Sequence, residues 1–200
     1  LDLSKNDFQG IPIPRFLGSM TSLNYLLLDD SGFGGVIPHQ LGNLSNLVEL
    51  GIRASRDDYV LYADSLQWLS RLSSLEYLDL TKVDLSNASD WLNMINTVPN
   101  LERLYLSDCQ ISDGIPVVHV NLSSLSVLDL SSNRFGSASF PSWVSHLKSL
   151  TSLNLRENNL SGPVPEELRN LTSLRNLTLS NNMFSGSIPN WLFSFRHLGE

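Results

Sequence analysis

Leucines recur along this chain at nearly constant intervals, and this recurrence restricts the possible folds more than any other feature. The unit L-x-x-L-x-L, with Ile52 in the last place of one copy, starts at Leu23, Leu47, Leu75, Leu101, Leu125, Leu150, Leu174 and, incompletely, Leu198. Successive starts are 24 to 28 residues apart, and residues 1–22 supply one more copy without its first three residues. A unit this short cannot bury its own leucines, so neighbouring units are expected to stack into a solenoid.

The L-x-L spacing has a structural cause. Side chains alternate between the two faces of a strand, so the leucines face inward and the residues between them face outward. Stacked units then place these strands side by side in one parallel sheet. The sequence therefore predicts a single repeat array over residues 1–200, an α/β solenoid with a parallel β-sheet on its concave face.

The ninth place of each repeat lies where the chain turns away from the strand. Its residues are Asn6, Ser31, Ser55, Val83, Cys109, Asn133, Asn158 and Asn182. Buried polar side chains need hydrogen-bond partners, so we predict that the asparagines and Cys109 form a structural ladder along the backbone. We expect it to be less regular from the second to the fifth repeat. Cys109, the single cysteine, is then a packed thiol rather than a nucleophile, metal ligand or disulfide partner.

The second half of the repeats carries a further pattern. NNLSGPVPEELRNLTSL, NNMFSGSIPNWLFSFRHL and SGFGGVIPHQLGNLSNL follow N-x-L-S-G-x-I-P-x-x-L-x-x-L. This pattern resembles the plant-specific class of leucine-rich repeat. The resemblance implies a second short strand at the S/G-x-I-P segment, with 3-10 or helical turns on the convex side.

Two repeats depart from this pattern. The Leu47 and Leu75 repeats lack G-x-I-P and are longer than most others. Helical spacing within them predicts turns that bury Leu66, Leu69 and Leu72, and Trp91, Ile95 and Val98. Asp64 and Ser89 are the expected caps. For Trp68 and Trp91, core packing is favoured over ligand contact.

Other stretches narrow the resemblance. GSMTSL, LSSLEYLDLTKVDLSNASDWLNMINTVPNL and FPSWVSHL are similar to plant receptor-like proteins of fungal-disease resistance and xylanase perception. The resemblance implies a parent protein with one membrane span and an ectodomain outside the plasma membrane. It also implies a protein or peptide ligand, such as a microbial hydrolase, and a co-receptor kinase. The chain is expected to be an uncapped piece of that longer protein.

Composition excludes other partner classes. The 13 Lys and Arg are scattered among 20 Asp and Glu, so the basic stripe needed for nucleic acid is missing. The sequence contains no apolar run of about 18 residues, and its first residues do not resemble a signal peptide. Neither nucleic-acid binding nor direct membrane contact is expected from this chain.

Asparagine-linked glycosylation is predicted at the N-x-S/T sequons. These are Asn43, Asn87, Asn121, Asn159, Asn170 and Asn176. Five of the six read N-L-S or N-L-T, which the repeat consensus generates by itself. A glycan on Asn176, beside a concave strand, would restrict access to that end of the face.

The exposed strand positions are the candidate binding residues, because packing does not dictate them. Large and charged side chains gather in the first half of the sheet, where we predict ligand contacts at Tyr25, Leu27, Glu49, Arg53, Tyr77, Arg103 and Tyr105. Tyr and Arg are enriched at interface hot spots. The alternative is a solvated face whose aromatics shield their neighbours. Asp79 and Asp129 are not included, since L-D-L is common in such repeats.

No catalytic, metal or cofactor site is predicted. A nucleophile, a base and an orienting group would have to converge. His39, His119, His146 and His197 instead fall at different points of their repeats, outside the strands. The carboxylate pairs Asp57–Asp58 and Glu166–Glu167 are adjacent in sequence and are expected to point apart.

Two functions are compatible with these features. The first is ligand recognition by a plant receptor-like protein in innate immunity, with signalling through partner receptor kinases. The second is inhibition of microbial cell-wall hydrolases by a secreted protein of the polygalacturonase-inhibitor type. The irregular Leu47 and Leu75 repeats favour the receptor.

Overall fold

The computed structural model describes residues 1–54, 59–112, 119–136, 140–195 and 197–199. Short strands recur once or twice in each turn of the chain. In the described residues they are β1 (Tyr25–Leu27), β2 (Gly35–Val36), β3 (Glu49–Gly51), β4 (Leu61–Tyr62), β5 (Tyr77–Asp79), β6 (Arg103–Tyr105), β7 (Val127–Asp129), β8 (Ser152–Asn154), β9 (Ser161–Gly162), β10 (Asn176–Thr178) and β11 (Met183–Phe184).

One parallel sheet holds the strand of each successive repeat. Within the described residues it has seven strands in the order β1-β3-β5-β6-β7-β8-β10. The central leucines are in register, so Leu78 pairs with Leu104 and Leu104 with Leu128. Since each strand pairs with that of the next repeat, the chain winds as a solenoid of the predicted leucine-rich-repeat class.

The inward leucines form one continuous core. Leu104, Leu106, Leu128 and Leu130 are each at most 1% exposed. These side chains come from neighbouring repeats, and the leucines of each repeat cover those of the repeat before it. Burial of this apolar surface is the main source of stability in such a coil.

A second row of short parallel strands lies beside the main sheet. β2 pairs with β4, and β11 pairs with β9. Strand β4 belongs to the Leu47 repeat, which lacks G-x-I-P, and Tyr62 continues the row by a bridge to Asp84. The motif is therefore not required for this row, because the pairing uses backbone groups that every non-proline residue carries.

Helical turns occupy the convex side. Within the described residues the 3-10 helices are Arg15–Ser19, His39–Asn43, Gln67–Arg71, Ser142–His146, Glu166–Asn170 and Asn190–Ser194, and one α-helix, α1, spans Trp91–Ile95. The two turns predicted in the irregular repeats are thus present at Gln67–Arg71 and α1. Trp68 and Trp91 are buried in the core, which agrees with a packing role.

The predicted helix caps were wrong. The turn at Gln67–Arg71 begins after Leu66 and α1 begins after Asp90, and neither Leu66 nor Asp90 makes a side-chain cap bond. The Gln67 N–H donates to Ser65 Oγ at 3.2 Å. Asp64 instead accepts a hydrogen bond from Asn87 at 3.0 Å. The helix α1 is held by core side chains such as Trp91, so tertiary packing there replaces the cap that an isolated helix would need.

Asparagines in the ninth place hydrogen-bond the backbone of adjacent repeats. Asn133 Nδ2 donates to the carbonyls of Leu106, Leu130 and Ser131 at 2.7–3.0 Å. Its Oδ1 accepts the N–H groups of Cys109 and Ile111 at 3.0 and 3.2 Å. Asn182 makes the corresponding bonds one repeat beyond Asn158. One side chain therefore ties together two turns of the coil.

The remaining ladder positions differ in their bonding. Cys109 Sγ donates to the Leu80 carbonyl at 3.0 Å, and burial raises the pKa of this thiol far above its ordinary value. Ser31 Oγ donates to the Leu3 carbonyl at 2.7 Å, while Val83 only packs. Asn6 Nδ2 also donates to the Leu3 carbonyl, at 2.8 Å.

Asn158 forms only part of the ladder pattern. Its Nδ2 donates to two carbonyls, but among the described residues no donor reaches its Oδ1. Ser55 lies outside the described residues.

Candidate functional site

The concave face carries its large side chains in the first half of the sheet. We name Tyr25, Leu27, Glu49, Arg53, Tyr77, Arg103 and Tyr105 the tyrosine–arginine patch. They lie on β1, β3, β5 and β6, except Arg53, which follows β3 by two residues. Tyr25 is 51% exposed and the other six are partly exposed. The patch is therefore open to a partner along four neighbouring strands.

The structure brings four of these residues into one cluster. The rings of Tyr77 and Tyr105 have centroids 5.6 Å apart, and the Arg103 guanidinium lies 4.9 Å from the centre of the Tyr77 ring. Arg103 Nη2 also donates to Glu49 Oε1 at 3.3 Å. Each contact crosses between strands, so the cluster exists only because the sheet aligns three repeats.

Arg53 belongs to a different group of side chains. Its Nη2 donates to Asp30 Oδ2 at 2.8 Å, and its backbone N–H donates to Asp29 Oδ1 at 2.8 Å. The Asp29 carboxylate lies over Gly51, where an added Cβ would be 2.6 Å from Asp29 Oδ2. Gly51 thus leaves the space that Asp29 occupies. Sequence reasoning missed Asp29 and Gly51, although a glycine at an outward strand position was the available signal.

The common L-D-L pattern does not mark Asp79 as functional, yet this residue supports the centre of the patch. It is 4% exposed, and its Oδ1 accepts the N–H of Thr81 at 2.9 Å. The Tyr77 hydroxyl donates to Asp79 Oδ2 at 3.4 Å. Burial, followed by the charges of Asp79 and Asp29, raises the pKa of Tyr77 far above its ordinary value. Tyr77 therefore keeps its proton and remains a hydrogen-bond donor.

Asp29 makes a pH-dependent contribution to stability. Burial raises the pKa of its carboxyl above the ordinary value, the Arg53 N–H opposes this, and the charge of Asp79 adds to it. Because the pKa of Asp29 is higher in the folded than in the unfolded state, ionisation of this carboxyl destabilises the fold. The destabilisation is absent at pH values below the unfolded pKa and is complete at pH values above the folded pKa. We expect Asp29→Asn, which keeps an oxygen acceptor for Arg53, to gain stability relative to the parent chain as pH rises through this window. Urea unfolding at a series of pH values measures the difference.

Glu157→Gln is the control of opposite sign. Hydrogen bonds from Asn181, Ser132 and Arg156 lower the pKa of Glu157. Its ionised form therefore favours folding above the unfolded pKa, and this contribution is lost as pH falls through the folded pKa. A constant offset between Asp29→Asn and the parent chain across these pH values would contradict the assignment for Asp29.

The second half of the face is small and polar. Its strands present Ser152, Asn154, Asn176 and Thr178. Asp129 is tied up locally, because its Oδ1 accepts the Ser131 N–H at 2.8 Å and its Oδ2 accepts Asn154 Nδ2 at 2.9 Å. On the described strands of this half of the face no side chain is aromatic, and Arg156, two residues beyond β8, is paired with Glu157 at 2.9 Å.

The six sequon asparagines are all exposed. Asn43, Asn121 and Asn170 lie on the convex side, Asn87 and Asn159 follow the ladder positions, and Asn176 lies on β10. Two of their side chains are held: Asn43 Oδ1 accepts from Arg71 Nη1 at 3.3 Å, and Asn87 Nδ2 donates to Asp64. Exposure at all six sequons is compatible with the predicted glycans, which would extend from the surface.

The titratable residues considered for catalysis remain dispersed. His39, His119, His146 and His197 are exposed and belong to different repeats, and Glu166 and Glu167 are exposed neighbours in one 3-10 helix. Asp57 and Asp58 lie outside the described residues. Where the chain is described, no three His, Cys, Asp or Glu side chains are placed to bind a metal ion together. No helix in that part of the chain has the length and apolarity needed to span a membrane.

Sequence comparisons identify relatives of this chain. The family model described as "Leucine rich repeat" matches residues 123–184, and a two-copy leucine-rich-repeat model matches residues 99–142. Receptor-like protein EIX1 of Solanum lycopersicum is 43% identical over 171 residues, and Receptor-like protein EIX2 of the same species is 41% identical over 171 residues. Both alignments cover 83% of this chain and 16% of the relative. The chain thus spans about a sixth of the length of these curated relatives.

Solved structures give the same fold. The ectodomain of the Arabidopsis thaliana receptor kinase GASSHO1/SCHENGEN3, in complex with CASPARIAN STRIP INTEGRITY FACTOR 2, matches with a TM-score of 0.82 and 32% identity. That match covers 99% of this chain and 23% of the receptor. The Arabidopsis receptor kinase HAESA, in complex with the peptide hormone IDA and the co-receptor SERK1, matches with a TM-score of 0.82 and 30% identity over 99% of this chain and 32% of HAESA.

Proposed function

Because this chain belongs to the leucine-rich-repeat receptor-like proteins of plants, we propose that it recognises a protein or peptide ligand outside the cell in innate immunity. The ligand lies on the concave face, against the tyrosine–arginine patch. Ligand binding activates signalling through a partner receptor kinase, and the chain itself carries out no catalysis. A microbial hydrolase is a candidate ligand.

The cluster of Glu49, Tyr77, Arg103 and Tyr105 is the observation that carries this proposal. Arg103 is stacked on Tyr77 and paired with Glu49, yet its side chain is 43% exposed. A guanidinium held in this way loses little further side-chain freedom when a partner binds, which lowers the entropic cost of association. Tyr and Arg at the centre of a patch are the residue types that contribute most to protein interfaces.

The related structures support the choice of partners. GASSHO1/SCHENGEN3 was solved with CASPARIAN STRIP INTEGRITY FACTOR 2, and HAESA with the peptide hormone IDA and the co-receptor SERK1. By analogy, the face of this chain takes up a ligand and the assembled complex engages a co-receptor kinase. The names of the tomato relatives favour a receptor over a secreted inhibitor.

One experiment separates these two functions. The protein is expressed at its natural length in plant cells and exposed to purified fungal xylanase or polygalacturonase. A receptor is expected to bind one of these proteins, measured by isothermal titration, and then to co-purify with a receptor kinase only when the ligand is present. Strong inhibition of polygalacturonase without kinase recruitment would establish the inhibitor instead.

A further inference from the structure

A cavity on the convex side lies next to one of the sequons. It has a volume of about 460 Å³ and is lined by His39, Ser65, Gln67, Trp68, Ser70 and Arg71. His39 comes from the Leu23 repeat and the other five residues from the Leu47 repeat, so the cavity spans the joint between two turns of the coil. Small-molecule sites occupy roughly 300 to 1,000 Å³, and this cavity is large enough for a sugar.

The lining matches the chemistry of a carbohydrate. Ser65 Oγ accepts the Gln67 N–H at 3.2 Å and can still donate, while Ser70 Oγ donates to the Gln67 carbonyl at 2.7 Å and can still accept. Gln67 can do both through its side-chain amide, and Arg71 offers several N–H donors. Trp68 contributes the large apolar component of the wall. Asp and Glu do not contribute to the lining. Hydroxyl and acetamide groups can pair with the remaining donors and acceptors, whereas an apolar segment would not.

Asn43 connects the sequon to this cavity. It ends the 3-10 helix His39–Asn43, and its Oδ1 accepts a hydrogen bond from Arg71 Nη1 at 3.3 Å. N-glycosylation substitutes Nδ2 and leaves Oδ1 as an acceptor, so the contact with Arg71 is compatible with an attached glycan. The sequons at Asn121 and Asn170 occupy the same place in their repeats. In the described part of the chain, their side-chain amides make no hydrogen bond.

We propose that the glycan of Asn43 is seated in this cavity, with its first N-acetylglucosamine units against Gln67, Ser70 and Arg71. The glycan then covers the joint between the Leu23 and Leu47 repeats and adds to the interface that couples them. Glycans on Asn121 and Asn170 extend freely into solvent. This inference rests on the proposed extracellular location, because N-glycans are added to secreted chains.

Site-resolved deglycosylation tests the proposal. The natural-length protein is secreted from plant cells and treated under native conditions with an endoglycosidase suited to its glycans, and glycopeptide mass spectrometry follows each sequon over time. We expect the Asn43 glycan to be released about tenfold more slowly than those of Asn121 and Asn170, which corresponds to about 1.4 kcal/mol of protection. After denaturation, the three rates are expected to converge.

A variant that fills the cavity gives the matched comparison. Ser70 is exposed on its 3-10 helix, so Ser70→Phe blocks the cavity without opening the core. It should accelerate release at Asn43 and leave Asn121 unchanged. Equal native rates at the three sequons, or an empty Asn43 beside occupied neighbours, would overturn the seated glycan and leave the proposed function standing. A secreted chain without glycan at any sequon overturns this inference alone, and retention of the protein inside the cell overturns both.

Discussion

Leu128→Ala is expected to lower the free energy of unfolding by about 2–5 kcal/mol, the range observed when a buried leucine is truncated in a packed core. Leu128 is 1% exposed on β7, and it lies in register between Leu104 and Leu153 of the adjacent strands. Truncation leaves a cavity between two layers of the coil, which close packing on both sides prevents from collapsing fully. Urea unfolding monitored by circular dichroism measures the change.

Val127→Ala is the matched control for this substitution. Val127 is the neighbouring residue on β7, is partly exposed, and faces the concave side. Because adjacent strand residues point to opposite faces, truncation of Val127 removes methyl groups from the concave surface and leaves the core intact. A loss of stability for Leu128→Ala no larger than that for Val127→Ala would show that the inward and outward registers are misassigned.

Replacing Tyr77 and Tyr105 together by alanine is expected to weaken ligand binding by about 2 kcal/mol or more, which is about 30-fold in affinity. The two rings provide the aromatic centre of the patch, and Tyr77 also supports the Arg103 guanidinium from below. Their removal leaves Arg103 with Glu49 as its partner and uncovers Asp79. Isothermal titration with the ligand identified for the natural-length protein measures the loss.

The same strand positions in the second half of the face provide the control. Ser152 and Asn154 on β8 correspond to the third and fifth places that Arg103 and Tyr105 occupy on β6. Replacing this serine and asparagine by alanine should leave affinity within about twofold, since small polar residues seldom act as hot spots. Unchanged melting temperatures would show that both double variants fold. Equal losses of affinity from the two variants would place the ligand elsewhere on the sheet.

The repeat register was predictable in detail because it follows from spacing alone. Leu104 and Leu128 are buried, and Tyr105 stands between buried neighbours on the opposite face, as alternation requires. The second row of strands was predicted from G-x-I-P, but the Leu47 repeat joins it without that motif through Tyr62. Backbone pairing requires that two segments lie side by side. The stacking of neighbouring repeats sets that placement, and the local residues contribute to it only in part.

The caps show a limit of local patterns. Asp64 precedes a helical turn at a spacing that suggests a cap, yet its carboxylate is bonded to Asn87 of the next repeat. The same holds for Asp79, whose place in L-D-L looked generic until its burial beneath Tyr77 was seen. For Asp64 the deciding neighbour lies one repeat away, at a separation that a local pattern does not include. Tyr77 is only two residues from Asp79, so there the spacing was available and only the burial of the carboxylate was not.

The sequence by itself determined the solenoid, because inward leucines at intervals of 24 to 28 residues can be buried only by stacking equivalent turns. It also determined which residues face outward, since side-chain alternation along a strand is a property of the backbone. The tertiary structure decided which outward residues act together. Arg103 meets Tyr77 and Glu49, while Arg53 turns to Asp30 and Asp29 lies over Gly51. These contacts depend on distances between side chains of different strands, which the twist and register of the assembled sheet set.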